Sequence, residues 1–237
     1  LGCRLNQCES EAIADSFSLF GFDVVKDYKE AEIIVVNTCT VTSKAEQKAR
    51  RMIRLFSASG KVVIATGCYA EVNREEVESL GDNIVIFSLG EKASILTLPE
   101  HIERMVLAGM DTLDAVKSFK KSERSVFSFD AHSFSYHSRA YLKIQDGCDN
   151  SCGYCRTTIA RGKSVFLEPE IVVERVKKLE EEGFHEIMLT GVNLTNYDHD
   201  GEGLGGVMEK ILSVVGPDIR LRLSSMEPDH VDDRLLD

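Results

Sequence analysis

Two series of short apolar runs, alternating with helix-length amphipathic stretches, fix the fold class of this chain. In the first series the apolar runs are "AEIIVVNTC" (31–39), "KVVIATGC" (61–68) and "NIVIF" (83–87). Runs that are apolar on both faces and rich in β-branched residues are buried parallel strands. Between and around them, "NQCESEAIADSFSLFGF" (6–22) has helical spacing, with Gly21 as its stop. "TSKAEQKARRMIRLF" (42–56) is a helix capped by Thr42 or Ser43. "EVNREEVESLG" (71–81) predicts another helix, and "KASILTLPEHIERMVLAG" (92–109) is helical after Pro99. This βαβαβ order predicts a doubly wound, parallel-sheet α/β domain over residues 1–118.

The segment 119–139, "FKKSERSVFSFDAHSFSYHSR", breaks the periodicity and reads as a linker. Its aromatic residues either anchor it across a domain surface or belong to an inert connection. The second series starts at "AYLKIQDGC" (140–148), a strand. "EPEIVVERVKKLEEEGF" (168–184) is a helix, with Pro169 in its first turn and Gly183 at its end. A strand "HEIMLTGVN" (185–193), a helix "LGGVMEKILSVVG" (204–216) and a strand "IRLRLSSMEP" (219–228) follow. Three such strands cannot close a barrel. Residues 140–237 are therefore expected to form a truncated βα barrel, and the chain to be a fragment that starts mid-strand and ends mid-barrel.

Cysteine usage comes next, because it selects the chemistry. The chain has seven cysteines, an odd number at uneven spacing. Secreted disulfide frameworks are shorter and denser, so a reduced, cytoplasmic setting with metal-binding thiolates fits better. No apolar run approaches the ~20 residues that span a bilayer, so no membrane partner is expected. The net charge of −11 by itself disfavours a phosphate-gripping surface.

Cys148, Cys152 and Cys155 follow the first strand of the second series in C-x3-C-x2-C spacing. Zinc normally takes four ligands in pairs, and no second pair follows nearby. A thiol redox couple needs only Cys152 and Cys155. Three thiolates on one loop suit a four-iron cubane with one iron open to a small molecule, and this spacing is the one that radical S-adenosylmethionine (SAM) enzymes use. Cys3, Cys39 and Cys68 each fall where a strand of the first series ends. Those ends share one edge of a parallel sheet, so a second cluster is the reading there; buried packing is the alternative for any one of them. Cys8 lies outside the pattern and reads as a packing residue.

The segments "LGCRLNQCESEA", "VVNTCTVTSKAEQKARR", "ATGCYAEVN", "LKIQDGCDNSCGYC" and "LTGVNL" together resemble the signatures of the radical SAM methylthiotransferases over essentially the whole chain. Within that family "NTCTVTSKA" (37–45) and "TGVNL" (190–194) resemble the branch acting on N6-threonylcarbamoyladenosine (t6A) in tRNA. The resemblance implies that Cys148, Cys152 and Cys155 are catalytic and hold the SAM-cleaving [4Fe-4S] cluster. Cys3, Cys39 and Cys68 would hold an auxiliary [4Fe-4S] cluster. It implies methylthiolation at C2 of t6A at position 37 of tRNA, with tRNA and a reducing electron donor as partners. Gly191, Asn193, Ser224 and Glu227, at the carboxyl ends of later strands, are the candidate SAM contacts. The family continues past the barrel into a small RNA-binding domain, where the basic nucleic-acid surface would mostly lie. Local basic clusters remain at Lys48, Arg50, Arg51 and Arg54, read as a solvated helix face, and at Arg156, Arg161 and Lys163. Two departures stand out: "RTTIARG" (156–162) lacks the family's proline, and Cys8 replaces its usual tyrosine. Alternatives are methylthiolation of isopentenyladenosine or of a ribosomal-protein aspartate, and, in another class, a non-catalytic iron–sulfur electron carrier.

Overall fold

The computed structural model describes residues 2–130, 139–150, 152–228, 231 and 233–236. The first unit is built on strands β1 (Ile33–Thr38), β2 (Val62–Gly67) and β3 (Ile84–Ile86), all parallel, in the order β1-β2-β3. Successive side chains of a strand point to opposite faces, and here both faces are apolar. Val36, Val63, Ala65 and Ile86 pack with Ala49, Ile53, Phe56, Tyr69 and Val77. The last five come from α2 (Ser43–Ala58), α3 (Cys68–Val72) and α4 (Arg74–Glu78). On the other face Val62, Ile64, Val85 and Phe87 pack with α1 (Arg4–Leu19) and α5 (Leu98–Leu107). Helices therefore cover both faces, as the uninterrupted apolar runs required.

Local signals explain most boundaries. Thr42 caps α2: its hydroxyl accepts the Ala45 N–H at 3.1 Å. Gly21, at φ +79°, follows the end of α1. The single helix expected over 71–81 is instead two short ones, α3 and α4. Asn73, between them, sits at φ −120°, ψ 45°, outside the helical region, where its amide donates back to the Tyr69 carbonyl. Helix α6 (Thr112–Ser118) closes the unit, capped by Asp111.

In the second unit β4 (Ala140–Lys143), β7 (Glu186–Thr190) and β10 (Arg220–Leu223) are parallel, in the order β10-β7-β4. Helices α8 (Pro169–Glu181) and α9 (Leu204–Leu212) are the crossovers. The strand expected over 140–148 does not run through. After Ile144 the chain leaves the sheet, and β5 (Gln145–Asp146) pairs antiparallel with β6 (Val165–Phe166). That pairing closes the base of a loop carrying a short helix α7 (Thr157–Arg161). A hairpin of β8 (Asp198–His199) and β9 (Glu202–Gly203) precedes α9, and α10 (Asp233–Leu236) comes last.

The two units share one apolar core. Cys8, Ala12 and Ile13 of α1 belong to the same buried cluster as Tyr141, Leu142, Ile187 and Leu189. The sequence-predicted linker is anchored over its described part: Phe127 and Phe129 are buried, and Arg175 holds the Phe127 carbonyl at 2.8 Å. Residues 131–138 of that linker lie outside the described residues. Among the described residues no helix is long and apolar enough to cross a membrane.

Candidate functional site

The first cysteine set gathers at the carboxyl edge of the first sheet. Thr38 of β1 pairs with Gly67 of β2, so Cys39 and Cys68 leave adjacent strand ends. Gly67 has φ +91°, and a Cβ there would lie 2.3 Å from the Thr38 carbonyl oxygen, so only glycine permits the approach. Cys3 is the N-cap residue of α1, rather than the end of a strand as its position in the sequence pattern implied. It nevertheless reaches the same edge. A Cβ on Gly2 would lie 2.7 Å from the Cys39 Cβ and 3.3 Å from its Sγ. Asn6 ties the cluster together: its Nδ2 donates to the Thr38 carbonyl at 2.8 Å, and its Oδ1 accepts from the Cys3 thiol at 3.6 Å. Burial pushes the Cys68 thiol pKa up; the positive charges of Arg161 and Lys92 pull the other way. Cys8 points away from this edge. It is buried on α1, its thiol meets the Tyr141 carbonyl at 3.5 Å, and burial pushes its pKa up to about 12. It packs, as expected.

The second set sits on the loop after β5. Gly147 (φ +70°) allows the loop to fold back: a Cβ there would lie 1.9 Å from the Lys163 carbonyl oxygen. The Cys148 N–H donates to the Gly162 carbonyl at 3.1 Å, and the Cys155 N–H to the Cys152 carbonyl at 3.0 Å. Hydrogen bonding from Thr157 holds the Cys155 thiol below its ordinary pKa; its N–H lies 3.4 Å from Sγ. Cys148 is buried, Cys155 half-buried and Cys152 open to solvent. All seven cysteines are free thiols. Among the described residues no group of three or more His, Cys, Asp or Glu side chains is arranged to hold a single metal ion. A four-iron cubane binds its thiolates on different irons, so it asks for thiols facing a shared space rather than converging on one point. Free thiols grouped at two places are the right donor set for such a group.

The four later candidates come together at the carboxyl ends of β7 and β10. The Gly191 N–H donates to the Ser224 hydroxyl at 3.2 Å. Asn193 is buried, and its Oδ1 accepts from Thr195 at 2.7 Å, while Thr195 Oγ1 accepts the Glu227 N–H at 3.1 Å. The Asn193 Nδ2 has no partner among the described residues. The Glu227 side chain is exposed. Gln145, missed in the sequence, joins this group to the cysteine loop. Its Oε1 accepts the Val192 and Asn193 N–H groups at 2.7 and 3.0 Å, and its Nε2 donates to the Asp146 and Gly147 carbonyls. The available signal was an amide at the end of an apolar strand, in "KIQDGC".

Between the two cysteine sets lies a buried ion network that sequence reasoning also missed. Glu9 and Lys92 are each 1% exposed and paired. Lys143 reaches Glu9 at 3.0 Å and also pairs with Asp146. The Arg161 side chain, 3% exposed, reaches Glu9 at 3.2 Å and Asp146 at 2.9 Å, and donates to the Asn6 Oδ1 at 2.9 Å. The sequence grouped Arg161 with Arg156 and Lys163 as a local basic cluster. Instead it is buried, because two carboxylates and an amide draw it inward. Arg156 pairs with Glu46 of α2 at 2.5 Å. Burial alone would raise the Glu9 pKa; Lys92, Arg161 and Lys143 outweigh it and hold the carboxyl well below its ordinary value. Lys48, Arg51 and Arg54 are exposed on α2, as a solvated face should be, whereas Arg50 is half-buried and pairs with Glu76 at 2.7 Å. A groove of about 980 Å³ runs beside β1 past Phe17, Phe22 and Val35, and no cysteine lines it.

Comparison with known proteins gives two matches to families. Residues 1–88 match "Uncharacterized protein family UPF0004" and residues 142–237 the Radical SAM superfamily. Among curated relatives, the chain is 34% identical over 288 residues to a threonylcarbamoyladenosine tRNA methylthiotransferase of Treponema pallidum, covering 98% of this chain and 60% of that protein. The proteins of the same name from Aquifex aeolicus and Bacillus subtilis are 34% and 29% identical over 245 residues each, covering 100% of this chain and 57% and 52% of theirs. The chain thus spans about half to three-fifths of the length of the curated relatives it matches.

Proposed function

The chain belongs to the radical SAM methylthiotransferases, and from that premise we propose that it inserts sulfur and a methyl group at C2 of N6-threonylcarbamoyladenosine at position 37 of tRNA. The observation that carries this reading is the pair of free-thiol sets, Cys3/Cys39/Cys68 and Cys148/Cys152/Cys155, at two places in the fold. A single SAM-cleaving centre needs only the second set. The first set, brought together from three distant parts of the chain, supports a second cluster for sulfur. The t6A branch rests on the names of the relatives and on "NTCTVTSKA" and "TGVNL".

Cys148, Cys152 and Cys155 would hold the SAM-cleaving [4Fe-4S] cluster, and Cys3, Cys39 and Cys68 the auxiliary one. When bound, these groups supply an electron for reductive cleavage of SAM to a 5′-deoxyadenosyl radical and a carrier for the inserted sulfur. The chain's own task is placement and exclusion of water. Gly191, Asn193, Ser224 and Glu227 would line the SAM side. There the unspent Asn193 Nδ2 is a donor, and the exposed Glu227 carboxylate an acceptor. Gln145 holds their loop to the cysteine loop. A cytoplasmic setting with a low-potential electron donor follows from tRNA as substrate and from reduced thiols.

The test is mass spectrometry of tRNA nucleosides from a deletion strain, with and without the complete gene restored. The methylthio group should vanish from t6A and return on complementation. Loss from isopentenyladenosine with t6A intact would move the assignment to the other tRNA branch. An unchanged tRNA profile with an altered ribosomal protein would overturn the tRNA substrate.

A further inference from the structure

The established chemistry of such a site does not account for the charges buried beside it. Three cations, Lys92, Lys143 and Arg161, share two carboxylates, Glu9 and Asp146, and every one of these side chains is nearly inaccessible to water. Within the network one positive charge is unmatched. Buried charge is tolerated when it is paired, so the position of the surplus has a meaning. Arg161 donates at 2.9 Å to the Asn6 Oδ1, the same oxygen that accepts from the Cys3 thiol at 3.6 Å. The surplus is thus directed at the first cysteine set.

Arg161 also has an unusual origin. It ends α7, six residues after Cys155, on the loop that carries the second set. Its neighbours Asn6 and Glu9 belong to α1, which Cys3 caps. Asn6 in turn holds Cys3 and the carbonyl just before Cys39. One guanidinium thereby touches the framework of both sets.

Resting on the cluster assignment above, we propose that Arg161 is a positioning residue of the first cysteine set: it reaches over from the second set's loop and, held by Asn6, places a positive charge on the Cys3 side of the auxiliary cluster. Reduction potentials of such clusters depend on net charge and on hydrogen bonds to their sulfurs. A cation at the sulfur favours the more negative, reduced state, so Arg161 raises the potential of this cluster.

The test uses the chain with Cys148, Cys152 and Cys155 replaced by Ala, so that only the first set can load. After anaerobic reconstitution, the one-electron midpoint potential is read by EPR during titration with dithionite. Arg161→Gln should lower the potential by the equivalent of about a tenfold change in the reduction equilibrium, ~59 mV for one electron. Should that variant not fold, Arg161→Lys serves. Its single ammonium cannot reach Glu9, Asp146 and Asn6 together, so its shift has the same sign and is smaller. Folded variants with parental iron content and parental potential overturn the proposal while leaving the cluster assignment standing. A parent that takes up no iron at the first set overturns the cluster assignment itself, and this inference with it.

Discussion

Replacing Glu9 with Gln keeps the shape of the side chain and removes the charge at the centre of the network. Glu9 is the shared partner of Lys92, Lys143 and Arg161. Without its carboxylate three buried cations face Asp146 alone. Removing one partner of a buried pair costs about 3–5 kcal/mol, because the remaining charge cannot be rehydrated. Unfolding entropy near 2.1 cal/mol/K per residue gives a chain of this length about 0.5 kcal/mol/K, so the melting temperature should fall by roughly 6–10 °C. The cost depends on pH with a definite sign. The folded-state pKa of Glu9 is depressed, so its stabilisation is fully present above its unfolded value, about 4.3, and is lost as pH falls through the folded value. The gap between parent and variant should therefore be full at neutral pH and shrink in acid. Circular dichroism melts of the metal-free protein at neutral and acidic pH measure both. A loss below about 2 °C at neutral pH, where at least ~3 kcal/mol is expected, or a gap that widens in acid, would refute the assignment of Glu9 as the charged hub.

Anaerobic reconstitution should load two cubanes, about eight irons per chain, and Ala at Cys148, Cys152 and Cys155 should leave roughly half; iron analysis showing total or zero loss would contradict two separate sites. Cys39→Ala should retain SAM cleavage, read as deoxyadenosine release, while methylthio product disappears in the complete enzyme. Cys8, with its thiol pKa pushed up to about 12 inside α1, should be the last cysteine alkylated in the native apo-protein at mildly alkaline pH, as followed by peptide mapping. Gln145→Leu orphans the Val192 and Asn193 N–H groups at a cost of about 1–3 kcal/mol each, visible as a lower urea midpoint.

The fold was legible wherever a local pattern carried the information. Short apolar runs marked all six strands of the two parallel sheets, and Thr42, Gly21 and Pro169 marked helix ends at or near their places. The misread stretches were those where one residue overrides its neighbours. Asn73 splits a helix-length segment, and Gln145 turns the chain out of a strand that reads as continuous to Cys148. The meeting of Cys39 and Cys68 was legible because equivalent positions in successive βα units share a sheet edge by topology alone; Cys3 joins that edge as the N-cap of α1, which the strand-end rule did not foresee. No such rule places Glu9, Lys92, Lys143, Asp146 and Arg161 together. They come from α1, from the turn before α5, from β4, from β5 and from α7. In a sequence, each is an ordinary charged residue.

That contrast bears on why the network is charged at all. Replacing a buried ion cluster by apolar residues of similar volume is often neutral or stabilising, and the surroundings here are apolar, with Phe129 lying under both lysines at 6.0 and 5.6 Å. Stability alone would favour a hydrocarbon core between α1 and β4. A hydrocarbon core, however, is indifferent to small rotations of one unit against the other. Ion pairs and hydrogen bonds fix direction: Arg161 has to meet Asp146 on its own loop, and Glu9 and Asn6 on α1, at the same time. That condition sets where the second cysteine loop stands relative to the first set. An apolar triple replacement of Glu9, Lys92 and Lys143 should therefore melt no lower than the Glu9→Gln variant. It should also show two loaded sites whose EPR spectra broaden, as the fixed relation between the sets is lost. Sharp parental spectra in that variant would show that packing alone sets the geometry.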